Sequence, residues 1–114
     1  MLTLDGKLAA FKNIYRMSFC VYILTNPART VLYIGVTNNL ERRLYEHGEG
    51  LGDAGKFTGR YQCNQLVYFE IVPDATQAIM REKQLKKWSR SKKDWLINTL
   101  NPSWAPIDPL TWNG

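Results

Sequence analysis

The stretch FCVYILTNPARTVLYIGVT, residues 19–37, indicates the centre of the fold. Its two apolar segments, 19–25 and 31–36, are rich in β-branched and aromatic residues, which is typical of β-strands. The polar residues 26–29 between them include Pro27, which has no amide hydrogen to donate within a sheet, so they predict a turn. Because so short a connection joins antiparallel strands, the stretch predicts a β-hairpin.

A helix and a loop are predicted after the hairpin. Asn38 is a residue type that favours the helix N-cap, and Glu41 follows it at the spacing of a capping box. These residues predict a helix over about 39–47 that Gly48 ends. Five of the eight glycines lie from Gly48 to Gly59, so we expect a mobile surface loop there.

The second half of the chain predicts one strand and two helices. The apolar run QLVYFEIV, residues 65–72, predicts a third strand. Asp74 as N-cap, with Gln77 at the third helical position, begins a helix that runs to about Arg90. A further helical segment covers about 92–100. The order ββαβαα predicts an α+β fold, a small three-stranded antiparallel sheet flanked by helices.

Length and composition favour one globular domain. The chain has 114 residues, of which 45% are hydrophobic and 22% charged, which argues against a disordered chain. We expect an N-terminal extension over 1–16, with a weak helical pattern over 8–15, a domain over 17–104 and an irregular C-terminal tail over 105–114.

Two cysteines are too few for a disulfide scaffold, and no apolar run approaches the about 20 residues of a membrane span. We therefore expect a cytoplasmic protein without a membrane partner.

The positive charge is concentrated in one segment. The net charge is +5, and residues 81–114 carry seven Lys or Arg against three Asp or Glu. All seven cations lie between Arg81 and Lys93. So dense a block favours a polyanionic partner, and a solvated helix face is the alternative.

Charged residues interrupt the apolar faces of two predicted helices. On the first helix Arg43 and His47 share one face with Leu40 and Leu44. On the helix after Asp74, Glu82 lies at the centre of the apolar face. Arginine stays charged, so it needs an anionic partner or a cleft. The two helices therefore predict either one shared polar cleft or a structural Arg43–Glu82 ion pair.

The hairpin places two tyrosines where they can meet. By the strand period of two, Tyr22 lies on one face of the first strand, and Tyr33 and Gly35 share a face of the second. Gly35 has no side chain and permits a close approach of backbone or helix. Taken alone, two tyrosines in strands more often belong to a core than to a catalytic site.

These residues resemble the motifs of the GIY-YIG nuclease family. Cys20-Val21-Tyr22 stands where the family has Gly-Ile-Tyr, and Tyr33-Ile34-Gly35 matches the second motif. The helix with Arg43 and His47 four residues apart is similar to the family's catalytic helix, and the stretch 81–86 to its metal-binding glutamate helix. Residues 101–104, Asn-Pro-Ser-Trp, resemble the closing motif of small stand-alone members. Cysteine replaces the first glycine, but the tyrosine carries the chemistry of that motif.

The resemblance implies a metal-dependent DNA endonuclease acting in repair or recombination, with low intrinsic sequence specificity. Glu82 would bind one divalent cation, Mg²⁺ or Mn²⁺, through a hard oxygen ligand. Arg43 would hold the phosphoryl oxygens, and Tyr33 would orient the phosphate or the water. Tyr22 would position or deprotonate the attacking water, and His47 is the rival general base. The sequence alone does not decide whether Tyr22 or His47 is the general base.

The implied partner is duplex or branched DNA, with targeting supplied by DNA shape or by a partner protein. Gly35 and Asn101 would support the site. A catalytically silent nucleic-acid-binding module is a second interpretation. A third is a protein-interaction domain that uses Trp104 and Trp112, with Trp88 and Trp95 assigned to the core. The predicted nucleic-acid-binding residues are Lys56, Arg60, Lys83, Lys86, Lys87, Arg90, Lys92 and Lys93.

Overall fold

A computed structural model describes residues 18–112 and contains one sheet with helices on both faces. The expected extension 1–16, with its helical pattern over 8–15, lies outside the described residues. The predicted α+β architecture, a three-stranded antiparallel sheet flanked by helices, is confirmed, with strand order β2-β1-β3. Its elements are β1 (Phe19–Thr25), β2 (Leu32–Thr37), α1 (Leu40–Gly48), α2 (Gly52–Tyr61), β3 (Gln65–Val72), α3 (Ala75–Lys87) and α4 (Arg90–Leu100).

Strand β1 lies between the other two strands and is buried on both faces. Every residue from Cys20 to Thr25 is buried, as expected for a continuous apolar run at the centre of a sheet. Tyr22 is paired with Gly35 of β2 and with Phe69 of β3. The register therefore places the Tyr22 side chain beside Gly35, which has no side chain.

The two faces of the sheet bury separate hydrophobic clusters. On one face Val21 and Ile23 pack against residues of α3 and α4, among them Leu85 and Ile97. The other face carries Cys20, Tyr22 and Leu24 with Leu40 of α1, Cys63 and Ile107. The alternation of β1 side chains thus turns Tyr22 toward α1, the helix that carries Arg43 and His47.

The prediction of a mobile loop between Gly48 and Gly59 is wrong, because most of this stretch forms α2. Gly55 lies where α2 crosses the end of α1. A Cβ atom built there would approach the Gly50 carbonyl carbon to 2.8 Å and the Glu46 carbonyl oxygen to 3.1 Å. Glycine is needed here for a close backbone contact, so the glycine content indicated packing and not mobility.

Two details of the helix ends differ from prediction. The N-cap of α1 is Asn39, whose side-chain oxygen accepts a hydrogen bond from the Arg42 amide at 3.1 Å, whereas the predicted Asn38 is exposed. The N-cap Asp74 is observed as predicted, bonded to the Gln77 amide at 2.8 Å. The helix that begins there ends at Lys87, and α4 begins directly after Ser89.

The tryptophans are placed differently from the interpretation above. Trp95 is 58% exposed, so its assignment to the core is wrong, whereas Trp88 packs against the core. Trp104 is buried and donates its indole hydrogen to Asn98 at 2.6 Å, so it offers no exposed ring to a protein partner. Among residues 18–112 no helix is long and apolar enough to cross a membrane.

Candidate active site

A buried chain of hydrogen bonds joins β1 to the two helices above it. The Tyr22 hydroxyl lies 2.7 Å from Nε2 of His47, and Nδ1 of His47 lies 3.0 Å from the Thr58 hydroxyl. Thr58 donates its own hydrogen to the Gly55 carbonyl at 3.1 Å. The Thr58 oxygen therefore accepts from Nδ1–H, which leaves Nε2 unprotonated to accept from Tyr22.

The environment of Tyr22 keeps its phenol protonated. Burial raises the pKa of Tyr22 well above its usual value, and the neighbouring Tyr33 adds to the increase. The positive charge of Arg43 acts in the opposite direction, while the carboxylates of Glu82 and Glu46 raise the pKa further. At neutral pH Tyr22 is thus the donor to His47. Its phenol can lose the proton only to an acceptor that is directly hydrogen-bonded to it, as the His47 ring is.

Gly35 makes room for the Tyr22 ring. A Cβ atom built at Gly35 would lie 2.5 Å from Cζ of Tyr22 and would overlap its hydroxyl. Any side chain at this position would displace the phenol from His47, so Gly35 supports the site by the space it leaves.

Tyr33 lies beside both members of this pair. Its ring centroid is 5.0 Å from that of His47 and 6.3 Å from that of Tyr22. Burial raises the pKa of Tyr33, the charges of Lys86 and Arg43 lower it, and Glu82 raises it. Unlike Tyr22, this ring is only half-buried and reaches the surface.

Arg43 carries a polar group that lacks a partner. Its Nε is buried and has no hydrogen bond among the described residues. One terminal nitrogen, Nη1, lies 3.7 Å from the Glu46 carboxylate, and the side chain is 33% exposed. A buried donor without an acceptor is costly, so this guanidinium is suited to an incoming anion.

Glu82 is not the partner of Arg43 in the structure. Its carboxylate pairs with Lys86, one turn along α3, at 3.0 Å and is 23% exposed. The alternative of a structural Arg43–Glu82 ion pair is therefore wrong. Glu82 is nevertheless close enough to raise the pKa of both Tyr22 and Tyr33. Tyr22, Tyr33 and His47 lie in mutual contact, and the charges of Arg43 and Glu82 act on both tyrosines.

The residue before Glu82 fixes the helix to the sheet. Arg81 donates to both oxygens of the Glu70 carboxylate on β3, at 3.0 and 2.8 Å. Its guanidinium also lies 5.2 Å from the Trp88 ring centroid. This bidentate pair holds α3 against β3 and thereby sets the position of Glu82.

The predicted nucleic-acid-binding cations are divided between several surfaces. Lys86 and Lys93 line a cavity beside Tyr33, and Lys56 and Arg60 are exposed on α2. Lys83 and Lys87 are exposed on α3. Lys92 covers the Trp88 ring at 4.1 Å.

Two predicted site residues are engaged in structural contacts. Arg90 donates to the carbonyls of Arg29 and Thr30, at 2.6 and 2.9 Å, and so holds the β1–β2 turn. Asn101 is buried and donates to the carbonyls of Val67 and Ala105, at 3.1 and 2.9 Å. Arg90 and Asn101 therefore brace the fold and do not line the cleft.

Two residues of the site were missed in the sequence. Thr58 orients His47, and Phe57 packs against Tyr33 with their ring centroids 5.7 Å apart. Both lie on α2, which was interpreted as a loop. The available signal was the helical spacing of Phe57 and Tyr61, four residues apart, which the surrounding glycines obscured.

Comparison with known proteins identifies the family of the chain. Residues 18–95 match the family described as the GIY-YIG catalytic domain. A UPF0213 protein of Syntrophus aciditrophicus is 43% identical over 77 residues, which are 68% of this chain and 86% of the relative. A UPF0213 protein of Clostridium perfringens is 40% identical over 79 residues, 69% of this chain and 82% of the relative.

A solved structure is also similar. The solution NMR structure of the UPF0213 protein BH0048 from Bacillus halodurans has 27% sequence identity and a TM-score of 0.48, covering 77% of this chain and 90% of that chain. The segment matched by the family, 18–95, includes all three strands and the helices that carry Arg43, His47 and Glu82. The chain belongs to the GIY-YIG family.

Proposed function

We propose that the protein is a metal-dependent endonuclease that hydrolyses phosphodiester bonds in DNA. The observation that carries the proposal is the buried Tyr22–His47 hydrogen bond of 2.7 Å beside Arg43, whose Nε has no partner among the described residues. A phosphate bound by that guanidinium would lie next to the Tyr22–His47 hydrogen bond, along which a proton can be transferred. Proton removal from water and stabilisation of phosphoryl oxygens are what phosphodiester hydrolysis requires.

Proton transfer can be assigned to particular atoms. The attacking water gives its proton to the Tyr22 oxygen as Tyr22 gives its own proton to Nε2 of His47. The ring then carries a positive charge, with Nδ1–H still bonded to Thr58. In this assignment Tyr22 is the group that touches the water and His47 acts behind it; both side chains are buried, 1% and 2% exposed, so the order rests on the direction of their hydrogen bond. This assignment combines the two bases that the sequence left open.

The metal would be held by Glu82. Among the described residues there is no group of three or more His, Cys, Asp or Glu side chains that could hold a metal ion together. One carboxylate fits Mg²⁺ or Mn²⁺, which keep several waters and bind substrate phosphates in addition to one or two carboxylates. When bound, the cation would neutralise charge that develops on the phosphate. Lys86 would then exchange its contact with Glu82 for one with the substrate.

The test is cleavage of supercoiled, branched and single-stranded DNA with Mg²⁺, Mn²⁺ or EDTA. We expect cleavage with either metal, and Tyr22→Phe to reduce it at least 100-fold, because the proton pathway is lost. Folding should be retained, since the ring remains. Tyr22→Phe protein that cleaves at the rate of the unmodified chain would refute the mechanism. Binding without cleavage under every condition would favour a silent nucleic-acid-binding module in its place.

The biological setting is a further part of the proposal. We place the activity in DNA repair or recombination, where branched substrates occur, with a partner protein supplying the target. Cleavage restricted to one nucleotide sequence in the purified protein would contradict this assignment.

A further inference from the structure

A cavity of about 230 Å³ opens next to the site on the outer edge of the sheet. Tyr33 contributes to both the site and the cavity wall, so the two are continuous. The volume is below the about 300–1,000 Å³ of pockets that enclose a whole drug-sized ligand, so it suits a small planar fragment. Its lining residues are Leu32, Tyr33, Ile34, Phe57, Lys86 and Lys93.

Aromatic rings lead from the site to the surface along this cavity. The ring centroids of Tyr33 and Phe57 are 5.7 Å apart, and those of Phe57 and Tyr61 are 4.7 Å apart. Phe57 is 41% exposed and Tyr61 40%. Contiguous exposed rings beside basic groups are the features on which unpaired nucleic-acid bases stack. The catalytic proposal gives no role to Phe57 or Tyr61.

The polar groups around the cavity suit a nucleotide. Lys86 and Lys93 line its wall, with the Lys86 ammonium 3.0 Å from the Glu82 carboxylate, and Arg60 lies over the Tyr61 ring at 5.5 Å. Strand β2 is an edge strand, so alternate backbone N–H and C=O groups point away from β1 toward this side. Aromatic faces, cations and free backbone groups together match a base with its phosphates.

We propose that this cavity binds one unpaired base of the strand that is cut, next to the phosphate held by Arg43. The inference rests on the proposed function, because Tyr33 connects the two sites. A base within a duplex has both faces stacked and cannot lie against Phe57, whereas a base in a single strand or at a branch can. The protein therefore binds strands with an unpaired nucleotide at the cleavage position more tightly than continuous duplexes.

The test uses binding in EDTA, so that it does not depend on cleavage or on a metal. A single-stranded oligonucleotide and its duplex, each carrying 2-aminopurine at successive positions, are titrated with the protein at fixed salt. We expect fluorescence quenching at one position in the single strand and none in the duplex. Phe57→Ala should abolish the quenching and weaken single-strand binding about tenfold.

Matched variants complete the design. Phe57→Tyr keeps a ring and should retain binding, and Trp95→Ala removes another exposed ring, 58% accessible, and should have no effect. Melting curves check that each variant folds. The inference would be overturned if the unmodified protein bound single strand and duplex equally well and Phe57→Ala bound them in the same way. If the protein quenched 2-aminopurine fluorescence but never cleaved DNA, the proposed function would be refuted and the base-binding site would still be supported.

Discussion

At the scale of single residues, the distinctive feature is that one histidine is oriented by a threonine. Thr58 uses its only hydrogen for the Gly55 carbonyl, so it can only accept from His47. That direction sets the tautomer that receives the Tyr22 proton. Thr58 touches neither water nor phosphate in this mechanism and is a positioning residue.

Replacing Thr58 by valine keeps its shape and removes its acceptor. We expect His47 to lose the acceptor that holds its proton on Nδ1, so that the tautomer with the proton on Nε2 becomes populated, at a cost of about 1–3 kcal/mol of stability, and cleavage to fall about 10–100-fold. Thr58→Ser is the control and should preserve both. Because His47 is the single histidine of the chain, ¹⁵N NMR of the imidazole reports its tautomer without overlap. An unchanged tautomer in Thr58→Val would contradict the positioning role.

At the scale of elements, the contact between α1 and α2 depends on Gly55. Gly55→Ala should destabilise the fold by about 1–3 kcal/mol, because its Cβ would press on the Gly50 and Glu46 backbone. Gly59, on the same helix, is the matched control, since the nearest atom to its Cβ is 4.0 Å away. Gly59→Ala should be neutral or stabilise by up to about 1 kcal/mol. Chemical denaturation that ranks the two variants alike would count against this packing.

The same two helices mark the limit of what the sequence predicts. Strands β1 and β2 follow from their β-branched and aromatic composition, and β1 in addition from the unbroken apolar run that a buried central strand needs. Arg43 and His47 follow from the apolar face that they interrupt. Helix α2 does not follow, because a glycine required for a close contact and one required for flexibility look the same in a sequence. The exposure of Trp95 likewise depends on helix orientation, which only tertiary packing determines.

At the scale of the whole molecule, burial of titratable groups predicts loss of stability at alkaline pH. Burial raises the pKa of the Cys20 thiol from an ordinary 9.0 to about 11 and raises that of Tyr22 as well. A group with a raised pKa in the folded state contributes fully below its unfolded pKa and loses that contribution as pH rises toward the folded value. For Cys20 the loss amounts to about 2–3 kcal/mol between about pH 9 and 11.

Melting temperature measured from pH 7 to 11 checks this expectation. The unmodified protein should be constant near neutrality and fall above about pH 9. Cys20→Ala should fall less steeply over the same interval, and Cys63→Ala should change the slope in the same direction, because burial also raises the pKa of the Cys63 thiol. Identical slopes in Cys20→Ala and the unmodified protein would exclude Cys20 as a source of the pH dependence.

The distribution of cations over the molecule predicts which of them contact nucleic acid. Lys93 faces the cavity beside Tyr33, whereas Lys92, its neighbour, covers the Trp88 ring. Lys93→Gln should weaken binding and reduce the slope of log affinity against log salt by about 0.7 for a single strand or 0.9 for a duplex. Lys92→Gln removes the same charge and should leave the slope unchanged. If both variants lower it equally, the protein attracts nucleic acid through its net charge and not through a defined surface beside the site.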